Sequence, residues 1–416
     1  MERIVVFTFA TKPERGFAQY LTSCIRNGIV PRVLGMGREW QGFTSKIQLV
    51  REQLDCLEEH DFVVVTDSYD LVFQTGTEKV VRDFISYGKP LVFSSEAYPG
   101  WPNLNTILPE TPSPIYRSLN AGFWVARVGD AKRIIDEAFG DNLSDSWTDD
   151  QGTFQLWLSI NPDKAIVDYK NLLATTTYHP ENNLGCNNRG VIFNKHTGSI
   201  PCAIHGTNGW DMGQVHEILK LSSRSDEPCY RRHQTYMLAA DHPWPTVVSG
   251  IKSSNGAFFS VGNEQTFCKL SSQASVILEL GSGDGLGSTK FFLDHSDALL
   301  ICNDSWENGL YERFCCNLWR GRDRVVPLRM GILDGLRKVM EYGIAPDLIY
   351  VDADHSYEYM TEQLSFIREF FSKSTVFGNG FNFQSVRSAV LSFTKNHSMN
   401  PVIRGEIWMI KERLEG

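Results

Sequence analysis

Between Asp61 and Phe73 the chain reads Asp-Phe-Val-Val-Val-Thr-Asp-Ser-Tyr-Asp-Leu-Val-Phe. The run from Phe62 to Thr66 is apolar or β-branched throughout, with no alternation of polar and apolar positions. A strand of that kind is buried on both faces, which predicts a parallel sheet covered by helices. Its carboxyl end carries Asp67 and Asp70 with Tyr69 between them. Ligands of open α/β sheets bind beyond the carboxyl ends of the strands, so these acids stand where chemistry is usually placed. Two hard oxygen donors on a tight turn suit Mg²⁺ or Mn²⁺, which in turn can hold a diphosphate. An Asp capping the turn beside a solvated one would give the same pattern. The stretch alone leaves both readings open.

At 416 residues the chain is too long for one ordinary core, and two domains are expected. With 42% hydrophobic and 21% charged residues it has the composition of a soluble globular protein. A net charge of -9 argues against a nucleic-acid surface as its main business. Ten Trp could furnish sugar platforms, and core packing accounts for them equally well. Nine Cys occur without a C-x-x-C pair, and the adjacent Cys315 and Cys316 are poorly placed to bridge each other. Free thiols in a reducing compartment are the simplest reading. The start, Met1-Glu-Arg-Ile-Val-Val-Phe, reads as a strand rather than a signal peptide, and no apolar run reaches membrane-spanning length. The expectation is a cytoplasmic protein.

In chain order, strands are expected at Ile4 to Ala10 and Val30 to Leu34, then a Gly-rich loop from Gly35 to Gly42 that lacks dinucleotide-binding spacing. Ile47, Val50, Leu54 and Leu57 set a helical period over Lys46 to Glu59. Lys46 at its start could meet a phosphate, although a helix-end Lys is more often solvated. A helix from Glu78 to Tyr87 leads to a strand ending in Ser95-Glu96, followed by an irregular Pro-rich stretch from Tyr98 to Pro114 that holds Trp101. Loops of such length are usually functional. Asn120-Ala121-Gly122 lies in a strand whose small residues permit close backbone approach. Asp149 and Asp150 open an amphipathic helix, where an N-cap role is the default for such a pair. His205 follows a short apolar strand and is flanked by Gly206 and Asn208. A lone His is more often structural, while those neighbours suggest an open loop.

Thr66-Asp67-Ser68-Tyr69-Asp70, Phe93-Ser94-Ser95-Glu96, Trp101-Pro102, Leu119-Asn120-Ala121-Gly122-Phe123, Asp149-Asp150-Gln151 and His205-Gly206-Thr207-Asn208-Gly209 occur in one order. Over about residues 1–210 that order resembles the glycosyltransferase domain of the procollagen lysyl hydroxylase/glycosyltransferase family. The resemblance implies a GT-A fold and a metal-dependent UDP-sugar site. It would place Mn²⁺ (or Mg²⁺) on Asp67, Asp70 and His205, with Lys46, Gly206 and Asn208 near the diphosphate. Asn120, Asp149 and Asp150 would face sugar and acceptor. Ala121 stands where that family usually has Ser. A carboxylate such as Asp149 or Asp150 could take the acceptor proton in an inverting transfer, or position the acceptor in a retaining one.

Asp211 to Gly250 has a broken helical pattern with Pro243 and Pro245 near its end, and the strand pattern then restarts. We read residues 1–225 as the first domain, 226–249 as a connector and 250–416 as the second domain. Ser275 to Leu280 is an apolar strand carrying Glu279, and it runs into Gly281-Ser282-Gly283-Asp284-Gly285. Glycine lets such a turn approach a ligand, and an acid at a strand end can hold a ribose or amino group. The next strand ends in Asn303-Asp304, a pair that also forms turns. A later one ends in Val351-Asp352-Ala353-Asp354-His355-Ser356-Tyr357, and a closing hairpin is expected from Pro401 to Lys411. The pattern resembles class I S-adenosylmethionine-dependent methyltransferases, and the Asp352 segment resembles sugar O-methyltransferases related to macrocin methyltransferase. That likeness implies a Rossmann-like domain with S-adenosylmethionine at Glu279, Gly281, Gly283 and Asp304. Asp352, Asp354 and His355 would form the catalytic group. Gly378-Asn379-Gly380 stands where those enzymes carry paired Asp.

The expectation is an α/β chain with a GT-A nucleotide-sugar domain followed by a Rossmann-like class I methyltransferase domain. It would move a hexose from a UDP-sugar to a hydroxyl on a glycan or hydroxylated protein and O-methylate the glycan. A glycan- or nucleotide-binding protein with a non-catalytic methyltransferase-like scaffold is the alternative.

Overall fold

The computed structural model describes residues 2–14, 16–97, 111–113, 115–144, 149–177, 183–207, 212–222, 224, 227–245 and 264–410. The chain divides into two compact units, Met1–Arg224 and Ser225–Gly416. Among the described residues no helix is long and apolar enough to cross a membrane.

The first unit is an α/β layer structure. In chain order it contains β1 (Ile4–Phe9), α1 (Phe17–Arg26), β2 (Arg32–Leu34), α2 (Phe43–Leu54), β3 (Phe62–Thr66) and β4 (Leu71–Phe73). Then come α3 (Thr77–Ile85), β5 (Leu91–Ala97), β6 (Tyr116–Arg127), α4 (Val128–Phe139), α5 (Asp150–Ile160) and β7 (Ala165–Val167). β8 (Ala174–Thr176), a separate hairpin of β9 (Leu184–Cys186) and β10 (Ile192–Asn194), and β11 (Ala203–His205) follow. The main sheet runs β2-β1-β3-β6-β5-β8-β11-β4, with β7 also on β5.

All five residues of β3 are buried, as its unbroken apolar run requires. The sheet is mixed rather than parallel. β3 lies parallel to β1 but antiparallel to β6, and β4 lies antiparallel to β11. Apolar runs report burial on two faces and do not report strand direction. One face is sealed by α2, α4 and α5, where Phe154 packs 4.9 Å from both Phe93 and Phe139 by ring centroid. Truncating such a ring to Ala costs about 3–5 kcal/mol.

β3 and β4 are joined only by residues 67–70, yet they occupy distant places in the strand order. Such a short link holds only if the sheet curls until its β11–β4 edge meets the end of β3. The register shift between Phe93 and Ser94 in the β5–β6 ladder marks the point of distortion. Bulges of this type bend a strand and re-aim its side chains. On the other side of β6 the Asp67 N–H continues the β3–β6 register past Thr66–Phe123 and donates to the Gly122 carbonyl at 2.8 Å.

The second unit begins with a helix, Pro228–Asp241, inside the span expected to be a connector. Pro at its first position suits a helix start, and its Leu238 is buried in the core of the second sheet. The strands are β12 (Val276–Leu280), β13 (Leu299–Asp304), β14 (Val325–Arg329), β15 (Leu348–Val351), β16 (Thr375–Gly378), β17 (Pro401–Arg404) and β18 (Ile407–Ile410). Their order is β14-β13-β12-β15-β16-β18-β17, parallel except for the closing β17–β18 hairpin, which joins β16 antiparallel. The order reverses between β12 and β15, the switch point at which doubly wound, Rossmann-like sheets open a ligand crevice.

Candidate functional site

In the first unit, β11 pairs with β4 so that His205 stands opposite Leu71, the residue after Asp70. That register brings His205 Nε2 to 3.4 Å from Asp70 Oδ1 and 3.5 Å from Asp67 Oδ2. One ligand atom from each of the three residues lies within 4.8 Å of the others. The approach leaves no room for a side chain at Gly122, where a Cβ would sit 2.2 Å from His205 Cε1 and 2.4 Å from Asp67 Oδ2. Donors about 2.1 Å from a small divalent cation lie roughly 3 Å apart when adjacent, so two carboxylates and one imidazole at these spacings fit Mn²⁺ or Mg²⁺.

Behind the cluster sits a buried amide. Asn120 Oδ1 lies 3.1 Å from His205 Nδ1 and accepts from Ser94 Oγ (2.9 Å) and the Gly122 N–H (3.0 Å), while its Nδ2 donates to Glu96 Oε1 (2.6 Å). With Nδ1–H pointed at that oxygen, Nε2 is the nitrogen turned toward the acids; it gives them a proton while the imidazole is charged and would offer a lone pair to a metal that displaces that proton. The Asn120 side chain is therefore engaged within the protein rather than open to a sugar. Ser94 and Glu96 belong to a sequence motif, but nothing in their local pattern points to this role.

Lys46 is not at a solvated helix end. α2 starts at Phe43, and the Lys46 side chain is buried with its ammonium 3.0 Å from Asp67 Oδ1 and 3.0 Å from Asp150 Oδ2. Asp150, the first residue of α5, is 4% exposed, and its Oδ1 accepts the Gln151 N–H at 2.8 Å. Asp149 is the helix N-cap and accepts the Gly152 N–H at 2.9 Å. The adjacent acids thus stand in different places, one capping and one buried against Lys46. Gly206 N–H closes the turn by donating to the Asp70 carbonyl at 2.6 Å. Asn208 and Trp101 lie outside the described residues.

Charges alternate from α5 to β11: Asp150, Lys46, Asp67, His205, Asp70. Burial alone would push the Asp67 carboxyl up, but Lys46 and His205 hold it well below the usual carboxylate range. Burial likewise opposes the His205 cation, and Asp70 with Asp67 outweighs it, so the imidazole is pushed up to about 10. Lys46 rises despite burial because Asp150 and Asp67 face it. Burial dominates at Asp150 and raises it in spite of Lys46.

In the second unit a cavity of about 590 Å³ opens beyond the ends of β12, β13 and β15. Gly281, Gly283, Asp304, Asp352, Asp354 and Asn379 are among the residues lining it. Gly281 and Gly283 have φ of +88° and +52°, the left-handed backbone that glycine adopts freely. A Cβ on Gly281 would lie 2.2 Å from the Asp352 carbonyl, so that turn is packed against the end of β15. Asp304 accepts from the N–H groups of Gly283 and Trp306, both at 2.9 Å.

Glu279 is not part of the lining. It is fully buried, and its two oxygens accept from Ser288 Oγ and Thr289 Oγ1 at the start of the following helix. It braces the glycine turn from behind, and the expected contact with a cofactor gives way to that role. His355 lies 3.5 Å from Asp352 Oδ1 and stacks on Phe383, whereas Asp354 Oδ1 accepts the Ser356 N–H. Hydrogen bonding to Asp352 raises the His355 pKa. Asn379 Oδ1 is buried without a hydrogen-bond partner among the described residues. An orphaned acceptor at a cavity wall of this size suits a polar ligand.

A family model described as the PLOD GT domain matches residues 1–214. The procollagen-lysine,2-oxoglutarate 5-dioxygenase of Drosophila melanogaster is 26% identical over 227 residues, which are 49% of this chain and 30% of that protein. Uncharacterized protein R699 of Acanthamoeba polyphaga mimivirus is 28% identical over 203 residues, covering 46% of this chain and 43% of its own. Human procollagen-lysine,2-oxoglutarate 5-dioxygenase 2 is 27% identical over 174 residues, covering 39% and 22%. The chain spans less than half the length of these relatives. Among solved structures, an O-methyltransferase from Bacillus cereus in complex with SAH covers 48% of this chain and 96% of its own, at 16% identity and a TM-score of 0.31. A likeness that slight carries no weight, and the fold of the second unit rests on its own strand order.

Proposed function

The chain belongs to the PLOD GT-domain family, and from that premise we propose that its first unit is a metal-dependent glycosyltransferase moving a hexose from a UDP-sugar to a hydroxyl acceptor. The observation that supports this reading most is the convergence of Asp67, Asp70 and His205 from a short turn and a distant strand. Asp67, Asp70 and His205 would hold Mn²⁺ or Mg²⁺, which when bound supplies positive charge for a departing diphosphate. Asn120 fixes the imidazole so that Nε2 faces the two acids. Gly122 keeps the space between them clear of side chains. Lys46 brings a positive charge beside Asp67. Asp150, buried and ionisable next to that charge, is the acceptor-side carboxylate, and Asp149 secures the helix that carries it. A glycan or a hydroxylated protein side chain is the acceptor class we assign.

For the second unit we propose S-adenosylmethionine binding in the cavity at the sheet's switch point and O-methyl transfer to the same glycan. The Gly281–Gly283 turn and Asp304 would hold the cofactor; Asp352 and Asp354 line the cavity with His355 against Asp352, and these three would serve the acceptor. Among the described residues none of the nine cysteines forms a disulfide, which fits a reducing compartment, and we place the protein in the cytoplasm.

The experiment is to incubate the protein with a panel of nucleotide sugars and Mn²⁺ and to measure released nucleotide, with calorimetry of S-adenosylmethionine and its demethylated product in parallel. Release of UDP that stops on chelation is expected. No nucleotide release from any donor would defeat the first reading. Absence of cofactor binding would reduce the second unit to a scaffold.

A further inference from the structure

Lys46 is one ammonium shared by two carboxylates that belong to different sides of the same site. Its Nζ stands 3.0 Å from Asp67 Oδ1, on the metal side, and 3.0 Å from Asp150 Oδ2, on the acceptor side. The cation and the Asp150 carboxylate are almost wholly shielded, at 6% and 4% exposure. Asp67 uses its other oxygen toward His205. Asp150 uses its other oxygen on the Gln151 N–H. The Oδ2 facing Lys46 accepts no backbone N–H and is buried against the ammonium, so a substrate hydroxyl reaches it only when the ammonium moves aside.

A buried charge whose partner leaves is costly unless a new partner arrives, so this ammonium moves only toward another anion. A nucleoside diphosphate beside Asp67 is such an anion, and a divalent cation on Asp67 would compete with Lys46 for the same carboxylate. A four-carbon stem lets the ammonium turn from one oxygen to another without moving α2.

Resting on the glycosyltransferase reading, we propose that Lys46 is a positioning residue that couples the two substrates: a diphosphate on the Asp67 side draws the ammonium off Asp150, and Asp150 Oδ2 then becomes available to the acceptor hydroxyl. Asp150 restrains Lys46 until the diphosphate is seated, and so weakens diphosphate binding.

The test is a double-mutant cycle on affinity for UDP with Mn²⁺, measured by calorimetry on the full chain with Asp150→Asn, Lys46→Met and the pair. Asp150→Asn is expected to tighten UDP binding about fivefold or more, within the usual range of coupling between sites. In the Lys46→Met background the same change is expected to do nothing. Asp150→Ser, compatible with a helix start, gives a second version of the measurement if Asp150→Asn fails to fold. Unchanged or weaker UDP binding in the Asp150 variants, with Lys46→Met weakened, would overturn the coupling while leaving the glycosyltransferase reading intact. A wild-type chain that binds no UDP with Mn²⁺ would overturn both.

Discussion

Both units place acids at the carboxyl ends of buried strands, and they use them in opposite ways. Asp67 and Asp70 stay half-exposed and face an imidazole and an ammonium from other parts of the chain. Glu279 is sealed, with both oxygens taken by hydroxyls of the helix that follows its own turn. Asp304 is intermediate: each oxygen accepts one backbone N–H, yet the residue lines a cavity. A carboxylate oxygen has room for a second donor, so Asp304 can brace a turn and still meet a ligand. Position at a strand end is therefore only half of a site. The other half is whether neighbouring N–H and O–H groups already hold the acid.

Breaking the open cluster should have the largest effect. Asp67→Asn or Asp70→Asn is expected to lower Mn²⁺-dependent nucleotide release by more than about a hundredfold, beyond what loss of an outer partner usually costs. Circular dichroism should remain that of the wild type, because both side chains are partly exposed. Full turnover in both variants would remove the reason for treating the two regions differently. Next comes the amide behind the cluster. Asn120→Ala is expected to weaken Mn²⁺ binding about 10- to 100-fold, since the imidazole loses the acceptor that sets its tautomer. Manganese titration followed by electron paramagnetic resonance would measure it, and an unchanged affinity would show that Asn120 does not orient His205.

Asp304 should behave between the extremes. Asp304→Asn keeps one acceptor for a backbone N–H and loses the charge offered to a ribose hydroxyl. Hydrogen bonds to charged groups contribute about 1.5–3 kcal/mol, so cofactor affinity is expected to fall about tenfold or more. A fall in thermal stability with no loss of affinity would move Asp304 into the same class as Glu279.

Much of this was legible in the chain. The unbroken run Phe62–Thr66 predicts a buried strand, and the glycines after Leu280 predict a turn open to a ligand, which the structure builds with left-handed backbone at Gly281 and Gly283. Hydrophobic period is a local property, however, and the site depends on long-range register. The place of β4 beside β11, the antiparallel β6 and the curl that joins them leave no mark within any one window of sequence. Lys46 reads from its own helix either as a phosphate partner or as a solvated helix end, and its contacts with Asp67 and Asp150 are invisible because those acids lie on other elements. Glu279 reads as a ligand-binding acid because its hydroxyl partners Ser288 and Thr289 look like ordinary helix-start residues. In both cases the residue type was visible and its partner was not.

The smallest effect should come from the sealed acid, and its sign separates a brace from a binding group. Glu279→Gln keeps the shape of the side chain and one acceptor oxygen, so a loss of about 1 kcal/mol in the second unit's stability is expected from the weakened bond to one hydroxyl. Cofactor affinity should stay within about twofold, since the side chain does not line the cavity. The pH dependence sharpens the distinction. Burial raises the Glu279 pKa above its ordinary value even though Ser288 and Thr289 oppose the shift. The folded state then binds this proton more tightly than the unfolded one, so the group's contribution to stability is fully present below the ordinary carboxyl value and is lost as pH rises through the raised one. Gln cannot titrate. The difference in melting temperature between wild type and Glu279→Gln should therefore be largest at mildly acid pH and shrink as pH rises toward neutrality. A difference that instead grows with pH would mean that the ionised carboxylate is the stabilising form, held by its two hydroxyls more strongly than burial opposes it.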